Sequence, residues 1–125
     1  MTFKTLAISA AVAVTTLLAL PAHAQFAKSE EAVKYRQGSL FVIGQHFGRI
    51  GAMVNGKLPF DAKAAQENAD IVAAMAALPW TGFGPGTDKG APHKAKPNVW
   101  TEKAKFNEHA QTFQAEAAKL PSAAK

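Results

Sequence analysis

Arg36, Gln37 and Leu40 form the group most able to do chemistry. They lie in a stretch, residues 29–54, where Val33, Leu40, Phe47 and Val54 recur every seven residues with Ile43 and Ile50 between them. That spacing predicts one apolar seam along a helix. Arg36 holds the place that Ile43 and Ile50 take in later turns, so its cation faces inward or snorkels out. A guanidinium, an amide and a bulky alkyl group on one helical face make a pocket wall for an anionic, mostly apolar ligand.

The other groups with chemical potential are scattered. His46 adjoins Phe47, His93 sits in a loop and His109 borders a later seam, and no two share a metal-ligand spacing such as i to i+4. They read as surface or boundary histidines. Met75, at helical spacing among apolar residues, reads as a core filler rather than an iron ligand. The sequence has no cysteine, which excludes disulfides and thiolate metal sites. Nothing matches a nucleophile elbow, a P-loop or a carboxylate pair, so an enzyme is not expected.

Three helices must position these groups. Residues 29–54 form the first, with Ser29 as its expected cap and Glu30 and Glu31 at the positive end of its dipole. Gly38, Gly44, Gly48 and Gly51 fall inside it, each costing about 1 kcal/mol against alanine. Gly44 and Gly51, in the same row as Gln37, would let a second helix or a partner copy approach, so a homodimer through this helix is one expectation. The turn Asn55-Gly56-Lys57-Leu58-Pro59 ends the helix. Asp61 caps the second, residues 61–78, with Ile71, Val72, Met75 and Leu78 on one face and Pro79 as its stop. The third, residues 98–120, carries Val99, Phe106, Phe113 and Leu120 seven apart, with Ala110 and Ala117 interposed. Between residues 79 and 97 the periodicity fails, and a long loop starts with Trp80 and Phe83, aromatics that must pack down onto something. After Leu120, residues 121–125 have the composition of a linker, and three seamed helices leave an apolar groove where a fourth would lie.

Residues 1–24 read as a secretory signal peptide: Lys4 is the positive end, residues 6–20 the apolar core, and Ala22-His23-Ala24 a small-x-small cleavage site. The exported chain, residues 25–125, is one helical domain bound for the periplasm, with no later run long enough to span a membrane. About a hundred residues give a marginal core, which a cofactor or an oligomer would support. The net charge of +5 includes Lys4, and the remaining lysines are dispersed, so nucleic-acid binding is not expected.

The blocks Gln25-Phe26-Ala27-Lys28, Val33-Lys34-Tyr35-Arg36-Gln37 with Leu40, His46-Phe47-Gly48-Arg49, and Leu78-Pro79-Trp80 through Phe83-Gly84-Pro85-Gly86-Thr87 resemble cytochrome c′. The likeness runs from the expected mature N-terminus through Trp100 to Leu120. It implies a periplasmic all-α four-helix bundle, often dimeric through its first helices, that carries haem c with five-coordinate iron. It also implies electron transfer or binding of small gases such as nitric oxide. On that likeness Leu40 crowds the open side of the haem, Arg36 and Gln37 approach the propionates, and Trp80 and Phe83 pack around the porphyrin. The family attaches haem through Cys-x-x-Cys-His on its fourth helix, with that histidine as the only protein ligand to iron. Neither motif nor helix is present here, so covalent attachment in this chain is not expected, and the sequence reads as a shortened copy of such a protein. The competing expectation is a cofactor-free periplasmic protein that binds a partner's helix in its open groove. A second rival, non-covalent haem held by His46, His109 or Met75, is weak because those positions do not converge. The redox partner is not specified by any residue pattern.

Overall fold

The computed structural model describes residues 25–125, so the expected signal peptide lies outside the described residues. The described chain is all-α, with no strand among its residues. Helix α1 spans Ser29–Val54, α2 Ala62–Met75, α3 Asn98–Thr101, α4 Lys103–Ala117 and α5 Leu120–Ala123; a 3-10 turn occupies Pro79–Phe83.

Helix α1 has the expected bounds, but its cap lies one residue earlier than expected. Lys28 is the extended residue before the first turn, and its carbonyl accepts from the Glu31 and Ala32 N–H groups; no side chain caps the helix. Ser29 is therefore inside the helix rather than its cap. At the other end the Lys57 N–H reaches the Ala52 carbonyl at 2.8 Å and the Gly56 N–H reaches Met53 at 3.2 Å, the paired bonds of a Schellman ending. That ending needs a left-handed residue, and Gly56 supplies it at φ 71°. Asp61 caps α2 as its position predicts, Oδ1 accepting from the Ala64 N–H at 2.9 Å.

Helix α1 packs on α2 and on the 3-10 turn, while α2 also meets α4 and α5. Helix α2 presents Ala65, Ala69 and Val72, with Ala76 just past its end, and the small alanine side chains allow close approach. Ile43, Val72, Ala76 and Ala117 form the central cluster, and Met75, Phe113 and Leu120 pack against it. Met75 is thus packing material.

The first seam does not stay buried along its length. Val33 is fully covered, but Phe47 is 54% and Val54 78% exposed. A seven-residue row drifts about 20° per heptad around a straight helix, so three heptads rotate its end off the face that α2 covers. The buried line follows Ala32, Arg36, Ser39 and Ile43 instead.

Three further boundaries differ from the expectations. Helix α2 ends at Met75, where the Leu78 N–H bonds the Met75 carbonyl three residues back and tightens the chain into the 3-10 turn headed by Pro79. Residues 98–120 are not one helix: Glu102, at φ −116° and ψ 48°, breaks them into α3 and α4. The break sets the Trp100 and Phe106 rings 6.2 and 4.9 Å from Phe83, so both ends of the broken helix pack on one aromatic. The expected linker after Leu120 contains α5, in whose first turn Pro121 loses no hydrogen bond because N–H groups there have no helical partner.

Candidate functional site

A cleft of about 910 Å³ opens between α1 and the α3–α4 pair. Arg36, Gln37, Leu40 and Phe41 line it from α1, and Val99 and Phe106 from the opposite side. Trp80 and Phe83 of the 3-10 turn close one part, and residues 92–95 border another. The structure thus gathers Arg36, Gln37, Leu40, Trp80 and Phe83 around one space.

Arg36 faces inward and is 2% exposed. Its Nη1 donates to the Gly82 and Thr87 carbonyls, both at 2.8 Å, and so ties the 3-10 turn and the following loop to α1. Its guanidinium carbon lies 4.6 Å from the centre of the Phe83 ring and 5.3 Å from that of Trp100, within cation–π range. Nη2 is buried and has no hydrogen-bond partner. Burial pushes the guanidinium's pKa down, partly opposed by the charge of Asp88. Arginine nonetheless stays charged in proteins. The cleft wall therefore carries a cation with an unused donor, and among the described residues no carboxylate lines the cleft.

The Gln37 amide donates to the Pro92 carbonyl at 3.1 Å, holding the loop end over the cleft. The Trp80 indole N–H donates to the Ala76 carbonyl at 2.6 Å, and its ring meets Phe106 and Phe113 edge-on at 5.9 and 5.7 Å. Trp80 and Phe83 stack at 6.3 Å. This aromatic wall is fixed by packing before any ligand arrives.

Several residues that shape the site were not among the expected ones. Phe41, Val99 and Phe106 line the cleft, and Trp100 supports it by donating to the Gly84 carbonyl at 3.2 Å. Phe106 belonged visibly to the third seam; its dual role depends on the break at Glu102, for which the periodicity gives no signal. His93 lines the cleft as well, half-buried, with its ring 5.7 Å from Trp100. His46 and His109 do not line this cleft. Among the described residues, no group of three or more His, Cys, Asp or Glu side chains is placed to hold a metal ion.

An apolar, aromatic space with a buried cation at its wall, one of whose donors lacks a partner, suits a flat apolar molecule with an anionic edge. Haem, an apolar macrocycle bearing two carboxylates, has that chemistry, and the free Nη2 of Arg36 is the observation that fits it. A cytochrome c′ family profile matches residues 31–125. Cytochrome c′ of Rubrivivax gelatinosus is 50% identical over 101 residues, covering 81% of this chain and 78% of the relative. This chain belongs to the cytochrome c′ family.

The Alcaligenes xylosoxydans cytochrome c′ is 44% identical over 100 residues, 80% of this chain and 76% of that one. Among solved structures, the Rubrivivax gelatinosus cytochrome c′ superposes with a TM-score of 0.77 at 49% identity, covering 80% of this chain and 78% of that one. A ferrous variant of the Alcaligenes xylosoxidans cytochrome c′, solved with bound nitric oxide, gives a TM-score of 0.71 at 43% identity, with 80% and 77% covered. The likeness extends to the bundle architecture. Cytochrome c′ proteins carry haem c, whose attachment needs cysteine thiols. These 125 residues contain none, so no thioether bond can form from within them.

Proposed function

We propose that this cytochrome c′ family chain holds haem in the cleft between α1 and α4, serving electron transfer or the binding of a small gas in the periplasm and catalysing no reaction. The observation that carries this reading is the buried, unpartnered Nη2 of Arg36 at the wall of an aromatic cleft. Haem, when bound, supplies the iron that exchanges electrons or takes the gas. The chain's own residues do the rest. Arg36 offers Nη2 to a carboxylate, and Gln37 lies one residue on, with its amide lent to Pro92. Trp80, Phe83 and Phe106 would pack against the macrocycle and keep water from it. Leu40, on the α1 wall, limits what can approach. Nitric oxide bound in the Alcaligenes xylosoxidans relative supports a small-gas role here. The charged start, apolar run and Ala22-His23-Ala24 of the leader support export.

Pairing of two copies through α1 belongs to the same proposal. Gly44, Gly48 and Gly51 leave open space where a side chain would stand, beside exposed Phe47.

Titration of ferric haem into the chain, followed by its Soret band and by quenching of tryptophan emission, tests the cleft. Saturable one-to-one binding is expected. Arg36→Leu removes a charge-assisted hydrogen bond of about 1.5–3 kcal/mol, so it should weaken binding by roughly ten- to a hundredfold. Arg36→Lys, which keeps the charge, should fall between. Binding that ignores both substitutions would place haem outside this cleft.

A further inference from the structure

We propose that Lys94 takes the second carboxylate of a ligand whose first is held by Arg36, so that the cleft selects flat apolar molecules with two carboxylates on one edge. The inference rests on the haem reading above. The polar side chains of the cleft wall are gathered in one corner. Arg36 and Gln37 are consecutive on α1, and the Gln37 bond to the Pro92 carbonyl at 3.1 Å brings the neighbouring His93 and Lys94 to the same cleft. The wall is otherwise apolar, from Leu40 and Phe41 on α1 to Val99 and Phe106 opposite.

The donors in that corner are unequally engaged. Arg36 Nη1 serves the Gly82 and Thr87 carbonyls, which leaves Nη2 for a ligand. Both His93 ring nitrogens are used within the loop: Nε2 lies 2.7 Å from the Asp88 carbonyl, and Nδ1 accepts from the Ala95 N–H at 3.1 Å. Those bonds brace residues 88–95, and Lys94 stands between the two residues that the second one joins. Lys94 is exposed and takes part in none of the ion pairs among the described residues. The two cations thus sit at different depths on separate elements, Arg36 being 2% exposed beneath the 3-10 turn and Lys94 at the rim. A carboxylate against Nη2 leaves water, whereas one beside Lys94 keeps much of its hydration. Two positions of that kind suit two carboxylates rather than one. They also differ in strength, because a rim pair contributes little and is screened over about 8 Å at physiological ionic strength, while a buried pair is screened far less. Arg36 therefore governs whether the ligand is held, and Lys94 whether its second carboxylate is read. The contact involves neither the iron nor the manner in which the macrocycle is attached.

The test is titration of metal-free protoporphyrin IX, a dicarboxylate, and of its monomethyl ester into the 125-residue chain, followed by quenching of tryptophan emission at low and at physiological salt. The monoester can seat its one carboxylate at Arg36, so the difference between the probes isolates the second contact. The dicarboxylate should bind about two- to fivefold more tightly at low salt, an advantage that added salt erodes. Lys94→Gln should abolish the advantage and bind both probes as the parent binds the monoester, while Lys94→Arg should keep it. Lys89→Gln makes the same charge change in the loop at a residue that does not line the cleft, and should leave the advantage intact. Circular dichroism checks that each variant is folded. Equal affinity of the parent for both probes, or an advantage that survives Lys94→Gln, would overturn the role of Lys94 while leaving the haem reading standing. Failure of the parent to bind either probe would overturn both.

Discussion

Gly82 lies directly on Arg36: a β-carbon at position 82 would stand 2.7 Å from the Arg36 β-carbon and 2.8 Å from the Ala32 carbonyl oxygen, while the Gly82 carbonyl receives Arg36 Nη1 at 2.8 Å. The close approach and the hydrogen bond depend on each other. The missing side chain lets the 3-10 turn settle onto α1, and that settling buries the guanidinium and directs its donors to Gly82 and Thr87.

Gly82→Ala should therefore lower stability by about 1–3 kcal/mol, because both obstructing atoms belong to the α1 backbone or sit next to it and cannot swing aside. Urea denaturation followed by far-ultraviolet circular dichroism reads the loss. A second consequence separates this from generic overpacking: lifting the 3-10 turn should loosen the aromatic wall and change Trp80 emission. An unaltered midpoint would show that the turn and α1 separate without cost.

The anomaly at Arg36 was legible in the sequence because a cation interrupts an apolar row, and the row itself announces α1. Its partners were not legible. Gly82 and Thr87 are 46 and 51 residues away, and backbone carbonyls leave no trace in side-chain type. The grouping of Leu40, Trp80 and Phe83 came through family likeness together with the need of loop aromatics for cover. Phe47 and Val54 were misjudged because seven-residue spacing measures periodicity, whereas burial depends on which face a neighbour covers. The break at Glu102 is a tertiary effect: Lys103, just beyond it, donates to the Phe83 carbonyl, and no local propensity encodes that tie. His93 read as a boundary residue because its surroundings are set by the course of a loop, which spacing rules do not describe.

Phe47 offers a test of pairing through α1. At 54% exposed, it contributes little to a single copy, so Phe47→Ser should change monomer stability by only about 0.5 kcal/mol. If α1 faces α1 in a dimer, the same change removes an apolar contact from each side and should raise the dissociation constant at least tenfold. Sedimentation velocity across a dilution series measures both species. Unchanged self-association in Phe47→Ser, or none in the parent chain, would remove α1 as the pairing surface.

Lys103 gives the protein a pH dependence of predictable sign. Its ammonium donates to the Phe83 carbonyl and sits 4.9 Å from the centre of the Phe106 ring. Burial pushes its pKa below the ordinary 10.5, and the charge of Arg36 lowers it further. With the folded value below the unfolded one, the unfolded chain binds more protons throughout the interval between them. Stability contributed by this group therefore rises with pH across that interval. Below both values the penalty is fully present, and it is relieved as pH rises through the interval between them. Lys103→Met abolishes this dependence and leaves the Phe83 carbonyl without its donor, so the absolute change at pH 7 combines opposing effects. The informative quantity is the difference in unfolding free energy, variant minus parent, measured by urea denaturation from pH 7 to 10.5. That difference should fall as pH rises, because the parent gains what the variant no longer can. Parallel pH profiles would mean that Lys103 keeps its charge in water and that its tie to Phe83 is not maintained in solution.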